Sequence, residues 1–366
     1  MTVSLFLCGD VMTGRGIDQI LPHPADPRLF EPVVQDARDY VTLAQQRNGP
    51  IPSPVPFRYI WGEALEELRR RQPAVRIVNL ETSITDDGMP AEKEIHYRMG
   101  AGNLPCLGAA ELDCCVLANN HLLDWGETGL LDTLRLLSGS GIATAGAGAD
   151  LDAALAPAIL PAATNQRILV FGYGSPTAGV PPEWAARPSR PGISLLRAIT
   201  DTVATEIAER ARQFRRPGDL VLVSLHWGGN WGYQIPAAQR AFAHWLIESG
   251  VVDVVHGHSS HHFRPLEVWQ GKLILYGCGD FLNDYEGIAG YEEFRGDLTM
   301  MYFPVVDARD GSLKALELAP LQIRRMRLER PSPGDIDRLF DRLNRECAPF
   351  GSRFELDAAG VIHLRL

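Results

Sequence analysis

Four of the ten histidines in this 366-residue chain stand between His256 and His262, in the run Val251 to His262, V-V-D-V-V-H-G-H-S-S-H-H. They follow a valine-rich segment of buried-strand type. The same placement of polar donors recurs along the sequence. Val3–Cys8 runs into Gly9-Asp10, and Val75–Val78 into Asn79-Leu80-Glu81. Cys114–Leu117 runs into Asn119-Asn120-His121, Leu220–Leu225 into His226-Trp227-Gly228, and Val251–Val255 into His256-Gly257-His258. Five apolar runs thus each end in a carboxylate, a carboxamide or an imidazole.

Ligand sites in α/β sheets form outside the carboxyl ends of the strands. If these runs are parallel strands, Asp10, Glu81, Asn120, His226 and the histidines near position 258 converge on one rim. That donor set, oxygen and nitrogen without thiolate, suits divalent manganese, iron or zinc. A carboxylate between two such halves can bridge two ions about 3.5–4 Å apart, the arrangement used for phosphoryl displacement. Each piece alone has a plainer meaning: Gly-Asp as a turn, Asn-Asn as left-handed turn residues, a strand-end histidine as a hydrogen-bonded core group. Five such pieces at five strand ends favour a shared site.

The elements that must position these residues alternate. Further strands are expected at Ile168–Tyr173, Leu273–Tyr276 and Leu298–Val306. Helices are expected at Trp61–Arg71, Thr128–Ser138, Asp201–Phe214, Pro236–Ser249 and Pro333–Glu346. Strands recurring with intervening helices imply an α/β fold with a largely buried sheet. Residues 43–58, with four prolines, read as an extended loop, and residues 174–192 as a long irregular segment that covers a site or is mobile. The chain divides into a main domain over residues 1–330 and a C-terminal helix and strand over 331–366, packed on the same domain.

Composition narrows the function classes. The net charge of -10 disfavours a non-specific nucleic-acid binder, whose affinity rests on Lys and Arg neutralising phosphates. No apolar stretch approaches the roughly 18 residues of a membrane span, and the first ten residues lack the basic and apolar regions of a signal peptide. The six cysteines form no C-x-x-C pair, which points to reduced, buried thiols and a cytoplasmic protein.

The ordered set Gly9-Asp10, Asn79-Leu80-Glu81, Asn119-Asn120-His121, His226-Trp227-Gly228, Gly257-His258-x-x-His261 and Tyr276-Gly277-Cys278-Gly279-Asp280-Phe281 resembles the CapA family of capsule and poly-γ-glutamate biosynthesis proteins. That family is a branch of the calcineurin-like metallophosphoesterases. The resemblance spans residues 3 to about 305 and implies a four-layer αββα sandwich. It implies Asp10 as ligand of a first ion and Glu81 in the bridging position. Asn120 and His226 would serve a second ion, with His258 and His261 completing the site. His121 would stand by the leaving group as general acid or electrostatic support. Two departures stand out: position 12 is Met where many metallophosphoesterases carry the His of Asp-x-His, and Ser260 interrupts the usual Gly-His-x-His. One or two ions are therefore implied, and His256-Gly257-His258 offers an alternative ligand pair.

Other residues are candidates by type and place. Asp124, three residues after His121, would orient that imidazole or cap a turn. Arg15, among nearby glycines, and Arg98 are arginine forks for an anion, with a surface ion pair as the plainer meaning of Arg98. Trp227, with Trp231 and Tyr233, is either a substrate wall or core. Asp280 would hold a ligating histidine from behind or cap a turn. The function expected is a metal-dependent hydrolase, a phosphoesterase using metal-activated water on a small-molecule or polyanionic substrate. The alternatives are a non-catalytic accessory protein in polyanion assembly and a metal-dependent amide or γ-glutamyl hydrolase.

Overall fold

The computed structural model describes residues 2–162 and 166–366. Its core is a pair of sheets packed face to face. In the first, Thr2–Val11, Val75–Leu80, Cys114–Val116 and Ala143–Ala145 run parallel as neighbours. Leu298–Asp307 adds antiparallel to the other side of Thr2–Val11 and is followed by Leu313–Ile323 and the C-terminal strands Ile362–Arg365 and Arg353–Leu356. In the second, Gln166–Gly174, Leu220–His226, Val254–His258 and Lys272–Leu275 are parallel, with antiparallel strands Ala158–Ala162 and Leu266–Trp269 at the edges.

The period-two alternation of strand side chains explains the layering. Leu5, Leu7, Ile77 and Val116 from the first sheet meet Ile168, Val170, Leu222 and Val254 from the second in one buried cluster. The intervening residues face outward. Phe6, Cys8 and Val78 pack on helices Ala64–Arg71 and Gly126–Gly139 through Ala64, Leu68, Leu130 and Leu137. Phe171, Val223 and Val255 pack on helices Asp201–Phe214 and Ala237–Glu248 through Ile207, Ala211, Phe242 and Leu246. The order is helix, sheet, sheet, helix, an αββα sandwich. The helix Pro333–Cys347 places Leu339, Leu343 and Cys347 in the inter-sheet cluster, so the C-terminal segment extends the same core.

Two expectations change, and one strand was not foreseen. The last valine-rich strand is Val254–His258 rather than Val251–Val255. His256 and His258 therefore lie in the strand, on one face, and not in a loop behind it. Asp253 sets the start: its Oδ2 accepts the Val221 amide at 2.9 Å. Residues 43–58 begin in a helix, Arg38–Asn48, in which only Tyr40 and Ala44 are buried; so polar a stretch carries little helical periodicity. The eleven-residue strand Leu313–Ile323 has a Pro near its end and an uneven alternation, which hid it from periodicity.

One close approach sets the rim. Cys8 and Gly9 stand opposite the single residue Val78, because the register passes from Leu7 opposite Ile77 to Asp10 opposite Asn79. Such bulges occur beside active sites, where they re-aim a side chain. The bulge lets the loop before Asp280 press onto Gly9, and the Asp10 amide donates to the Gly279 carbonyl at 2.9 Å. A Cβ on Gly9 would lie 1.6 Å from that carbonyl oxygen. Gly9→Ala is therefore expected to cost at least about 3 kcal/mol, because backbone must move on both sides. Gly139→Ala, at an exposed helix end with nothing within 4 Å, should be neutral or gain up to about 1 kcal/mol. Denaturant unfolding of both variants checks the contrast.

Candidate metal centre

The parallel strands of both sheets end at the same rim, and their terminal residues meet there. Asp10 Oδ1 lies 3.4 Å from His258 Nδ1 and 4.0 Å from His226 Nδ1. The two imidazole Nδ1 atoms are 3.0 Å apart. Asp10, His226 and His258 thus bring one donor atom each within 4.8 Å of one another, all buried. Second-layer contacts hold Asp10 in place: Oδ1 accepts from Asn79 Nδ2 at 2.7 Å and Oδ2 from the Ser259 amide at 3.0 Å.

A second group of donors adjoins the first through His226. Its Nε2 lies 2.8 Å from Asn120 Oδ1 and 3.8 Å from Glu81 Oε1. Glu81 Oε1 is also 3.8 Å from His121 Nε2. His261 is turned differently: its Nδ1 faces both oxygens of Asp280 at 3.0 and 3.1 Å, and Asn283 Nδ2 donates to Asp280 at 2.7 Å. Asp280 therefore stands behind a rim histidine. The structure brings Asp10, Glu81, Asn120, His226 and His258 together directly, with His261 and Asp280 at their edge.

His121 and Asp124 form a pair, Nδ1 to Oδ2 at 2.6 Å. The Asp124 carboxylate also accepts from Lys93 Nζ at 2.7 Å and from the Tyr97 amide at 2.6 Å. Burial raises the Asp124 carboxyl, but His121 and Lys93 beside it outweigh that and hold it below the ordinary carboxylate range. Burial lowers His121 to about 4. With Nδ1–H given to Asp124, the Nε2 lone pair faces Glu81. Sequence reasoning missed Lys93. It lies in an aperiodic loop between two glutamates, which offers no signal, yet its side chain is 21% exposed and so reachable from solvent beside His121.

The electrostatics test whether a cation fits. Burial holds His226 well below its usual range and His258 at about 3, so both rings are neutral. Burial, then the neighbouring Asp10 and Asp280, pushes Glu81 well above the usual carboxylate range. Three buried carboxylates and two neutral imidazoles with converging lone pairs repel one another unless a cation or protons neutralise them. A divalent ion fits this donor set.

Three other candidates lie elsewhere. Arg15 has its Nε and Nη2 on Asp284 and its Nη1 on Glu31 at 3.0 Å, and its guanidinium packs 3.8 Å from the Tyr40 ring centroid. It is a buried ion-pair hub, with its donors already committed, rather than an open anion contact. Arg98 lies over the Trp125 ring at 3.7 Å and donates to the Asp26 carbonyl, away from the rim. Trp227 is core: its indole donates to the Tyr276 carbonyl at 3.0 Å, and the two rings stack. Trp231 is one of the aromatic residues at the rim, 5.2 Å from the His261 ring and stacked on Tyr291.

The chain matches the family model of the bacterial capsule synthesis protein PGA_cap over residues 4–285. It is 48% identical to a protein of Mycobacterium tuberculosis named as a probable polyglutamine synthesis accessory protein, over 96% of this chain and 93% of that one. It is 25% identical to the PGA biosynthesis protein CapA of Bacillus subtilis, over 77% of this chain and 63% of that protein. A solved structure described as a novel phosphatase from Mycoplasma pneumoniae aligns over 90% of this chain and 95% of that one at a TM-score of 0.45 and 13% identity. The family match over most of the chain and the M. tuberculosis relative along nearly its whole length show that this chain belongs to the bacterial capsule synthesis protein family, PGA_cap.

Proposed function

We propose that the chain is a metal-dependent hydrolase acting on a phosphoester. The observation that carries the proposal is the convergence of Asp10, His226 and His258 on one buried point, beside a His121–Asp124 pair. Asp10, His226 and His258 would hold one divalent ion, of manganese, iron or zinc type. Glu81 and Asn120, on the other side of His226, would hold a second, with His261 at the margin. Such ions supply Lewis acidity toward water and toward the oxygens of the substrate.

The chain's own residues do the rest. Asp124 fixes the His121 ring through Nδ1, so His121 exchanges a proton with the reacting group at Nε2. Lys93 keeps Asp124 ionised and places a positive charge at the mouth, which favours an anionic substrate. The six cysteines, all free and buried, support a reducing compartment such as the cytoplasm. No helix among the described residues is long and apolar enough to cross a membrane.

A second reading has its own support. The M. tuberculosis relative is named as an accessory protein in polyglutamine synthesis. The same rim could bind the carboxylates of a poly-γ-glutamate chain without turnover, or cleave its amide bonds.

Two outcomes are expected. Elemental analysis should find about one or two equivalents of divalent metal in the purified chain, reduced at least tenfold in His226→Ala; unchanged metal in that variant would refute the ligand assignment. With manganese added, the wild type should hydrolyse generic phosphoesters, and His121→Ala should keep its metal while kcat falls by roughly 10²–10⁴. Turnover of γ-glutamyl peptides alone would support the amide hydrolase, and polymer affinity without turnover the accessory protein.

A further inference from the structure

The histidine run contains one ring, His256, that no ligand role explains. It is fully buried in the strand Val254–His258, facing the same side as His258. Its Nε2 lies 2.7 Å from the Cys8 carbonyl oxygen, in the bulge of the first sheet. Its Nδ1 lies 3.1 Å from Ser224 Oγ, and Ser224 Oγ lies 2.9 Å from His258 Nε2. A chain of hydrogen bonds thus runs from a backbone carbonyl of one sheet, across the sandwich, to a residue of the metal centre on the other.

The proton count along this chain has one solution. A carbonyl oxygen only accepts, so His256 Nε2 carries the ring proton. His256 Nδ1 is then a lone pair, and the single Ser224 hydroxyl proton points to it. Ser224 Oγ can only accept at its other contact, so His258 Nε2 carries the His258 proton. His258 Nδ1 is left bare, and it is the atom that faces Asp10 Oδ1 and His226 Nδ1. In the reverse direction a neutral His256 would set its bare Nε2 against the Cys8 carbonyl oxygen at 2.7 Å, two acceptors with no proton between them.

We infer that Ser224 and His256 are positioning residues, wired to the Cys8 carbonyl, that lock His258 in the tautomer whose Nδ1 is a metal donor. The inference rests on the cation-binding reading of the rim. Partners behind a ligating histidine fix its tautomer and orientation, and their loss typically costs 10–100-fold in metal affinity. Here the partner is a serine whose own direction is set by a second histidine.

The test uses the full chain as wild type, Ser224→Ala and Ser224→Thr, with zinc as the probe ion. Long-range 15N–1H correlation of the histidine rings in the zinc-free chain reads the tautomers, and calorimetric zinc titration reads affinity. The expected result is a proton on His258 Nε2 in the wild type. Ser224→Ala should lose that single tautomer and bind zinc about 10–100-fold more weakly. Ser224→Thr, which returns the hydroxyl, should recover both. A wild-type proton on His258 Nδ1 would overturn the inference, as would a Ser224→Ala chain with unchanged tautomer and affinity. A wild type that binds no zinc but shows the expected tautomer would refute the metal centre while leaving the hydrogen-bond relay intact, so the two failures are separable.

Discussion

Buried negative charge at one point of the rim is the constraint around which the site is organised. Asp10, Glu81 and Asp280 are all buried there, and the imidazoles of His226 and His258 are held neutral by burial. Isolated buried carboxylates are among the costliest groups a fold can carry. Their neighbours here are hydrogen-bonding groups at the strand ends: Asn79 and the Ser259 amide on Asp10, His261 and Asn283 on Asp280. On Asp10 the two neutral donors hold the oxygens in place without cancelling their charge. A divalent cation would do both, and would couple the folding of the rim to its occupancy.

The sandwich exists to bring that charge together. Asp10 and Glu81 leave the ends of strands in one sheet, His226 and His258 the ends of strands in the other. Only packing the sheets with their parallel strands ending at one rim places these residues within a few ångströms. The bulge at Cys8–Gly9 and the approach of Gly279 adjust the last fraction of that distance. Behind the rim, the Arg15 hub ties Asp284, which follows the Asp280–Leu282 strand, to the helix that begins at Arg15. It supports the same loop from the far side.

Much of this was legible in the sequence. Apolar runs of strand length alternating with helical patterns gave the α/β class, and the polar residue at the end of each run marked the rim. Those signals survive because strand burial imposes an apolar run and the site lies where the run stops. What was not legible depends on tertiary direction. Nothing local shows that the guanidinium of Arg15 turns inward to Asp284, 269 residues away, or that Trp227 stacks on Tyr276 rather than facing a ligand. Lys93 reaches the site from an aperiodic loop. His256 and Ser224 were visible as residues, but their hydrogen bonds cross between strands, and across to the other sheet at Cys8, which sequence spacing does not encode.

The central claim is that a divalent ion sits among Asp10, His226 and His258. Anomalous scattering from crystals grown with manganese or zinc, collected at the metal's absorption edge, tests it most directly. A peak is expected about 2.0–2.3 Å from Asp10 and from the Nδ1 atoms of His226 and His258. A well-ordered rim with no peak there, or with metal bound only at other histidines such as His244 or His363, would contradict it.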